Sequence, residues 1–182
     1  FRSIQLRSIM DFSDFKLDSA SVDQSQAICE LLNSAYRGTD GWTTEVDIIS
    51  GKRADRNEIE AAIKLPNSYF FVVNQSNQLA SCIHITKKDD HAQFGFFAVQ
   101  PSLQGNGLGT YVLKQAEIFA KTRLYSKKLL MIVVSQRTEL IAFYERRGYR
   151  RTGQVENLPA NIGIPKRINL TIDYLEKSIA TT

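Results

Sequence analysis

The sequence is poor in the residues that define several classes of protein. Its 182 residues include two cysteines and four prolines, which excludes a disulfide-stapled scaffold and a collagen-like chain. The longest apolar run, Leu129–Val134, has the length of a strand and falls far short of the roughly 18 residues that a membrane-spanning helix requires. We therefore expect a globular protein with no membrane partner.

Metal ligands and excess charge are also scarce. Cys29 and Cys82 lie far apart without metal-ligand spacing, and the chain has two histidines, so we expect no metal cofactor. Both cysteines fall in apolar patterns that predict buried free thiols, which suit a reducing, cytoplasmic location. The 23 basic and 19 acidic residues give a net charge of +4. That excess is small for a nucleic-acid-binding protein, and it suits an anionic small ligand at least as well.

The sequence does contain regular hydrophobic periodicity along most of its length. A chain of this size is typical of one domain, which we expect at residues 15–182, with residues 1–14 as an N-terminal extension. The pattern predicts an α/β protein whose helices cover the faces of a sheet. Predicted helices begin after the cap residue Ser21 and at Asp55, and two more run from Gly109 to about Lys121 and over Thr138–Arg147. The predicted strands are Phe15–Asp18, Tyr69–Val73, Leu79–Thr86, Ala92–Val99, Lys128–Val134 and Ile168–Leu175.

The most informative segment is a glycine-rich loop between a predicted strand and a predicted helix. The strand ends at Val99, and Gln104-Gly-Asn-Gly-Leu-Gly109 leads directly into the helix. Backbone N–H groups converge in such a loop, and with the helix dipole behind them they form a site for a phosphate or pyrophosphate. Thr110 stands where a dinucleotide-binding fingerprint requires its third glycine, and the sequence has no Gly-Lys-Ser/Thr motif of a P-loop. The alternative is a turn that only packs strand against helix.

Two motifs together resemble a known family. The segment Val99-Gln-Pro-Ser-Leu-Gln-Gly-Asn-Gly-Leu-Gly109 is followed further along by Phe143-Tyr-Glu-Arg-Arg-Gly-Tyr149. This combination resembles the GNAT superfamily of acyl-CoA-dependent N-acyltransferases, and the resemblance extends from about residue 15 to residue 175. It implies a mixed, mostly antiparallel sheet of about six or seven strands flanked by about four helices.

The resemblance also implies acetyl-CoA as a co-substrate. In the family, the glycine loop holds the pyrophosphate of coenzyme A through backbone N–H groups. The pantetheine arm pairs with the free edge of a strand that is splayed from its neighbour, in the manner of strand addition. In this sequence the edge residues would be Phe97, Ala98 and Val99, and the loop residues Gln104, Gly105, Asn106, Gly107, Leu108, Gly109 and Thr110.

The same resemblance implies a set of catalytic groups. Tyr144 would donate a proton to the leaving thiolate, and a backbone N–H near Val99 would donate to the thioester oxygen. Periodicity alone favours Tyr144 as an aromatic on the core face of a helix, whereas its spacing from the glycine loop and the trailing Gly148-Tyr149 favour a functional hydroxyl. The strand lacks the acid that many relatives carry, which leaves the general base open among Glu45, Asp47, His84 and a water-mediated path. Among these we take Glu45, because its loop lines the acceptor site in relatives.

The acceptor is predicted as a class. Trp42 and Asp47 are candidate substrate-binding residues, and with Asp40 and Glu45 nearby they would favour a cationic primary amine, on a small molecule or a peptide. Dimerisation is common in the family, so a homodimer stays open. Four arginines would steer the 3′-phosphate of the cofactor, contact an acidic partner, or form a solvated helix end; they are Arg146, Arg147, Arg150 and Arg151.

We therefore predict an N-acetyltransferase that moves an acetyl group from acetyl-CoA to a primary amine by direct attack in a ternary complex. The missing strand acid motivates an alternative, a catalytically inactive acyl-CoA-binding protein. A third interpretation is a nucleic-acid-binding module that uses the arginines. The modest net charge counts against it, and we expect no nucleic-acid partner.

Overall fold

The structure, a computed structural model, describes residues 11–180, so most of the expected N-terminal extension lies outside it. The helices are α1 (Ser25–Arg37), α2 (Arg56–Lys64), α3 (Leu108–Thr122) and α4 (Thr138–Glu145). The strands are β1 (Asp18–Ser19), β2 (Ile49–Ser50), β3 (Ser68–Gln75), β4 (Gln78–Lys88), β5 (His91–Val99), β6 (Lys128–Val134), β7 (Arg150–Asn157), β8 (Ile164–Pro165) and β9 (Thr171–Ser178). None of the helices within residues 11–180 is long and apolar enough to cross a bilayer.

Seven of the strands form one mixed sheet in the order β1-β3-β4-β5-β6-β9-β7, and β2 pairs separately with β8. Every neighbouring pair in the large sheet is antiparallel except β5 and β6, which run parallel. The parallel pair requires a crossover, which α3 provides. The expected mixed, mostly antiparallel sheet with four helices is confirmed.

Helices cover both faces of the sheet, and the alternation along β3 shows how the sequence achieves this. Phe70 and Val72 belong to the buried cluster formed with α1 and α2. Phe71 and Val73 belong to the cluster formed with α3 and α4. Consecutive side chains of a strand point to opposite faces, so four buried apolar residues in a row mark a strand covered on both sides.

Local signals determine where the helices begin and end. The Asp55 carboxylate accepts the Glu58 N–H at 2.8 Å and caps α2. That helix ends at Lys64, before Pro66, as the restriction on residues preceding proline requires. Ser21 precedes a short 3-10 turn rather than α1 itself, which begins at Ser25.

The sequence prediction differs from the structure in the last third of the sheet. β7 is missing from the prediction because all eight of its side chains are exposed, so it has no hydrophobic alternation; pairing with β9 holds it as an edge strand. β9 begins at Thr171 instead of Ile168. Ile168 is exposed, and Asn169 adopts a left-handed backbone conformation (φ +62°) that interrupts the strand.

His84, one of the candidate bases, lies buried in β4 among aromatic rings. Its ring stacks on Phe70 at a centroid distance of 5.1 Å and packs against Phe96 at 6.0 Å. Its Nε2 is buried and has no hydrogen-bond partner within the described residues. Burial lowers the pKa of His84 to about 4, and the nearby Ala62 backbone opposes part of that shift. The structure therefore holds this histidine as a neutral, packed side chain.

We expect acid to destabilise the fold through His84. An unfolded histidine binds a proton near pH 6.5, whereas folded His84 does so near pH 4. Within that window the unfolded chain binds more protons, so the free energy of unfolding decreases as the pH falls, by an amount on the order of 3 kcal/mol. Urea unfolding between about pH 7 and pH 4 measures the slope. His84→Gln should flatten it, and His91→Gln, which alters the other histidine, should leave it unchanged; an equal slope in all three proteins would contradict the assignment.

Candidate active site

β5 and β6 separate halfway along their length. Their pairing ends at Phe94 on β5 and Met131 on β6. Beyond that point the segment Gly95–Val99 has no strand beside it on the β6 side, although it still pairs with β4 on the other. A cleft therefore opens between two strands in the middle of the sheet.

A β-bulge lies at the start of the cleft. Phe96 and Phe97 of β5 stand opposite the single residue Ile83 of β4. Phe96 has a positive φ of +43°, which is uncommon for a bulky residue and marks local backbone strain. Such a bulge bends the strand that carries it, and this bend accounts for the divergence of β5 from β6.

The free edge of β5 presents N–H donors to the cleft. The Gln100 N–H bonds back to β4, so alternation turns the peptide groups of Phe97 and Val99 toward the cleft. Both of their carbonyls already accept side-chain hydrogen bonds, from the Tyr36 hydroxyl at 3.0 Å and from Gln104 Nε2 at 3.1 Å. The N–H groups of Phe97 and Val99 thus remain as donors at the edge.

The glycine loop lies at one end of the cleft, where α3 begins. Gly105 and Gly107 have φ values of +80° and +88°, in the left-handed region that glycine adopts readily. The N–H of Tyr111 makes the first helical hydrogen bond, to Gly107 at 3.0 Å. The N–H groups of residues 108–110 have no acceptor within the helix. These donors and the helix dipole favour an anion at this point.

An arginine from the end of α4 reaches the glycine loop. Arg147 donates from Nε and Nη2 to the Thr110 hydroxyl at 2.9 and 2.6 Å, and its guanidinium lies 3.5 Å from the centroid of the Phe143 ring. Arg146 is exposed, and Arg151 pairs with carboxylates elsewhere. The arginine cluster is therefore divided, and Arg147 adds positive charge beside the loop.

Two cavities meet in the cleft. The loop cavity, of about 310 Å³, extends from the glycine loop along the β5 edge. The inner cavity, of about 70 Å³, lies between β5 and β6 on the side of the α1–α2 connection. Five residues line both: Tyr36, Phe97, Arg137, Leu140 and Tyr144. A group bound in one cavity would therefore meet a group bound in the other at these side chains.

Tyr144 lies buried on α4 at this junction. Its ring makes edge contacts with Phe143 and Tyr149 at centroid distances of 5.3 and 5.8 Å. Burial raises the pKa of Tyr144, and the nearby charges of Arg137 and Arg147 offset part of that shift. The hydroxyl therefore stays protonated at neutral pH and is able to donate a proton.

Glu45 is not the exposed loop residue that its sequence context indicates, because it is 2% exposed. Its Oε2 pairs with Arg37 Nε at 3.1 Å and its Oε1 with Arg137 Nη1 at 3.3 Å. The Glu45 N–H donates to the Tyr36 carbonyl at 2.7 Å, and Arg137 Nη2 donates to the Thr43 carbonyl at 3.1 Å. We call Arg37, Glu45 and Arg137 the ion triad. It fastens the α1–α2 connection to the start of α4.

Trp42 reaches the loop cavity and not the inner cavity. Its ring is 55% exposed and lies 5.9 Å from the Phe143 ring. The backbone N–H of Trp42 donates to Gln104 Oε1 at 2.6 Å, which joins the α1–α2 connection to the glycine loop. Asp40 and Asp47, by contrast, are exposed and line neither cavity.

Most of the residues expected to bind the cofactor come together around the loop cavity. Leu108 is one exception, because its side chain is buried in the core and does not line the cavity. Its backbone N–H still lies at the start of α3. Asn106 is exposed and does not line the cavity. No cluster of three or more metal-binding side chains occurs within residues 11–180. The expected residues that do line it are Phe97, Ala98, Val99, Gln104, Gly105, Gly107, Gly109 and Thr110.

Several site residues are missing from the sequence prediction, Arg137 of both cavities among them. Tyr36 follows Leu32 by four positions, so the helical periodicity places it on the buried face of α1 and could have indicated it. Leu140 similarly reads as a core residue of α4. Arg53 lies in an irregular segment, and no local pattern in the sequence distinguishes it from the chain's other arginines.

Comparisons with known proteins agree with this geometry. The chain is 30% identical over 81 residues to the uncharacterized protein YdhI of Bacillus subtilis (strain 168), a match to 44% of this chain and 49% of that relative, about half its length. The fold is similar to the ribosomal-protein-S18-alanine N-acetyltransferase of Escherichia coli, with a TM-score of 0.69, 16% identity, and coverage of 92% and 96% of the two chains. It is also similar to the PaiA N-acetyltransferase of Thermoplasma acidophilum in complex with coenzyme A, with a TM-score of 0.69, 15% identity, and coverage of 90% and 98%.

At 15–16% identity, the structural similarities show the fold alone. A match to a family, by contrast, compares the sequence itself. The family described as "Acetyltransferase (GNAT) family" matches residues 25–149, well over half of the chain. That range contains α1, the diverging strands, the glycine loop and Tyr144. The chain therefore belongs to the acetyltransferase (GNAT) family.

Proposed function

We propose that this protein transfers the acetyl group of acetyl-CoA to a primary amine by direct attack in a ternary complex. The observation that carries the proposal is the meeting of the loop cavity and the inner cavity at Tyr144. An acyl donor in the first cavity and an amine in the second would come together beside a buried, protonated hydroxyl. Holding two reactants in contact in this way is itself a large part of catalysis.

The residues of the loop cavity fit coenzyme A. The N–H groups at the start of α3 and the guanidinium of Arg147 suit a pyrophosphate, which is anionic. The N–H groups of Phe97 and Val99 suit the amide-containing arm. Coenzyme A supplies the acetyl group as a thioester. A member of the fold with bound coenzyme A, the PaiA N-acetyltransferase, supports the same assignment.

The reaction requires a neutral amine, support for a carbonyl oxygen that gains negative charge, and a proton for the departing sulfur. In the transfer a C–N bond forms and a C–S bond breaks, the amine loses a proton and the sulfur takes one. Of the N–H groups of Phe97 and Val99, the one that the arm leaves free would stabilise the oxygen. Tyr144 would donate the proton, and since burial raises the basicity of a thiolate as well, its own raised pKa does not prevent transfer.

The position of Tyr144 favours acetyl transfer over an inactive acyl-CoA-binding protein, because binding alone does not require a hydroxyl at the junction.

Trp42 would contact the acyl donor, since it lines the loop cavity. Asp47 would contact an acceptor that extends beyond the inner cavity, such as a peptide. Both cysteines are buried free thiols, which supports a cytoplasmic location.

Tyr144→Phe should lower kcat about 10²- to 10³-fold and leave the KM for acetyl-CoA within about twofold, because it removes one proton donor and keeps the ring. The release of coenzyme A with an acetylated amine measures both constants. Tyr125→Phe, at a tyrosine that is 78% exposed, is the matched control and should behave as the parent protein. An unchanged kcat in Tyr144→Phe would show that the residue is only part of the core.

Acetyl-CoA and coenzyme A should raise the melting temperature, and NAD should not. At 100-fold excess over Kd a ligand stabilises by about 2.7 kcal/mol, which is roughly 5–10 °C for a chain of this size. Arg147→Gln should weaken binding about tenfold, because it removes charge beside the loop. Arg146→Gln, at the exposed neighbouring position, should bind as the parent does. The absence of a shift with either coenzyme A species would contradict the cofactor assignment.

We propose that Glu45 positions Arg137 and the α1–α2 connection rather than acting as the base, because both of its carboxylate oxygens are paired. Glu45→Gln should reduce stability by an amount on the order of 3 kcal/mol, since two guanidinium groups lose their partner. The pH profile of kcat in the remaining folded protein should keep its shape, and Glu45→Asp should recover part of the stability. A lost limb of the profile with unchanged stability would instead identify Glu45 as the base.

A further inference from the structure

The inner cavity has an excess of positive charge. Its charged lining residues are Glu45, Arg53 and Arg137. The Glu45 carboxylate is already divided between Arg137 and Arg37, with one oxygen paired to each. Two guanidinium groups thus share one carboxylate, and the guanidinium of Arg53 lines the same cavity. The acidic loop residues Asp40 and Asp47 do not line it. The sequence expectation of a pocket for a cationic amine does not fit this distribution of charge.

Of the two guanidinium groups that line the inner cavity, that of Arg53 is the one without a carboxylate partner in the described part of the chain. It is half-buried, and no carboxylate of residues 11–180 lies within 4.0 Å of it. Its guanidinium carbon lies 5.4 Å from the centroid of the Tyr36 ring and 5.1 Å from that of Phe96, and its backbone N–H is fixed by Asn33 Oδ1 at 2.7 Å. Stacking on aromatic rings holds the plane of a guanidinium and leaves its N–H edge free for an oxyanion.

Arg137 adds a second, independent indication of a missing partner. It is 6% exposed, and its Nε is buried without a hydrogen-bond partner among the described residues. Its guanidinium carbon lies 5.4 Å from the same Tyr36 ring. A buried, unpaired donor on a charged group is costly, and a ligand that accepts from it would remove that cost. The guanidinium groups of Arg53 and Arg137 therefore both lie against the Tyr36 ring, and both residues line the inner cavity.

From this arrangement we infer that the acceptor is a small amine that also carries an oxyanion, a carboxylate or a phosphonate, held by Arg53 with Arg137 beside it. The inference rests on the proposed acetyl transfer and names the substrate class of the inner cavity. A bidentate pair between a guanidinium and a carboxylate fixes orientation as well as affinity. The amine of such a molecule would point toward Tyr144, which lines the junction of the two cavities.

The positive charges of Arg53 and Arg137 also account for how the acceptor amine loses its proton without a general base from the protein. Neighbouring positive charge disfavours the protonated form of an amine, so an ammonium group brought near Arg53 and Arg137 loses its proton more readily than in water. The anionic group of the acceptor provides the binding, and the arginines keep the amine neutral. No strand acid is then needed, and a water in the cleft can carry the proton away.

The test compares matched amines on the full chain with saturating acetyl-CoA, following coenzyme A release. The panel pairs each of the proteinogenic amino acids with its amide, and adds aminoalkyl phosphonates, simple alkylamines and polyamines. An acid should exceed its own amide at least tenfold in kcat/KM. The phosphonates show whether any oxyanion suffices or a carboxylate is required.

Variants of two arginines test the inference: Arg53, which lines the inner cavity, and Arg56, which lies on α2. Arg53→Met should raise the acceptor KM about 10- to 100-fold for the best acid and leave its amide and the KM of acetyl-CoA unaffected. Arg53→Lys should recover part of the affinity, because it keeps the charge and loses the fork. Arg56→Met removes an exposed arginine of α2 that pairs with Glu60, and it should match the parent.

The outcomes separate this inference from the proposed function. If amides, alkylamines or polyamines are acetylated as well as the acids, or if Arg53→Met changes nothing, the acidic acceptor is wrong and the acetyltransferase stands. If coenzyme A binds and no acid in the panel is turned over or raises the melting temperature of the complex, the acidic acceptor is also wrong. If coenzyme A itself fails to bind, the proposed function fails first, and the acceptor inference with it.

Discussion

The divergence of β5 from β6 is the constraint on which the rest of the site depends. A sheet ordinarily uses every backbone N–H and C=O in its interior, and this one leaves a row unused because the two strands stop pairing at Phe94 and Met131. The free N–H groups of Phe97 and Val99, the two cavities and the access of Tyr144 to both all follow from that opening. The candidate site thus depends on the bulge at Phe96, whose backbone strain the surrounding packing supports.

The second organising feature is the ion triad. A buried carboxylate between two guanidinium groups is costly to desolvate, and packed apolar side chains would often stabilise a fold as well. The ion triad joins the α1–α2 connection, which carries Trp42, to the first residues of α4, the helix that carries Tyr144 further along. It also leaves the inner cavity positive rather than neutral. Stability of the connection and the charge of the cavity therefore depend on the same three side chains.

Much of the fold and the loop cavity could be predicted from the sequence, because both depend on local patterns. Segments rich in apolar residues mark β3 through β6, and the Gln104–Gly109 segment marks a glycine loop at the start of a helix. The exposed strand β7 has no alternation and could not be found in this way. The inner cavity could not be predicted from the sequence either, for a different reason. Glu45 and Arg137 are 92 positions apart, and whether a charged residue in a loop is solvated or paired depends on contacts that only the folded chain makes.

The two cysteines, which the fold buries on the α1 and α2 side, have a consequence for how the proposed reaction can be followed. Cys82 donates to the Phe96 carbonyl at 3.2 Å and Cys29 to the Ala54 carbonyl at 3.1 Å. Burial raises the pKa of both thiols, that of Cys82 to about 12. The thiolate is the species that attacks a disulfide reagent, and at neutral pH roughly one Cys82 in 10⁵ is ionised. A chromogenic disulfide added to the folded protein would therefore react slowly with these two thiols, and its signal would follow the free coenzyme A that the proposed reaction releases.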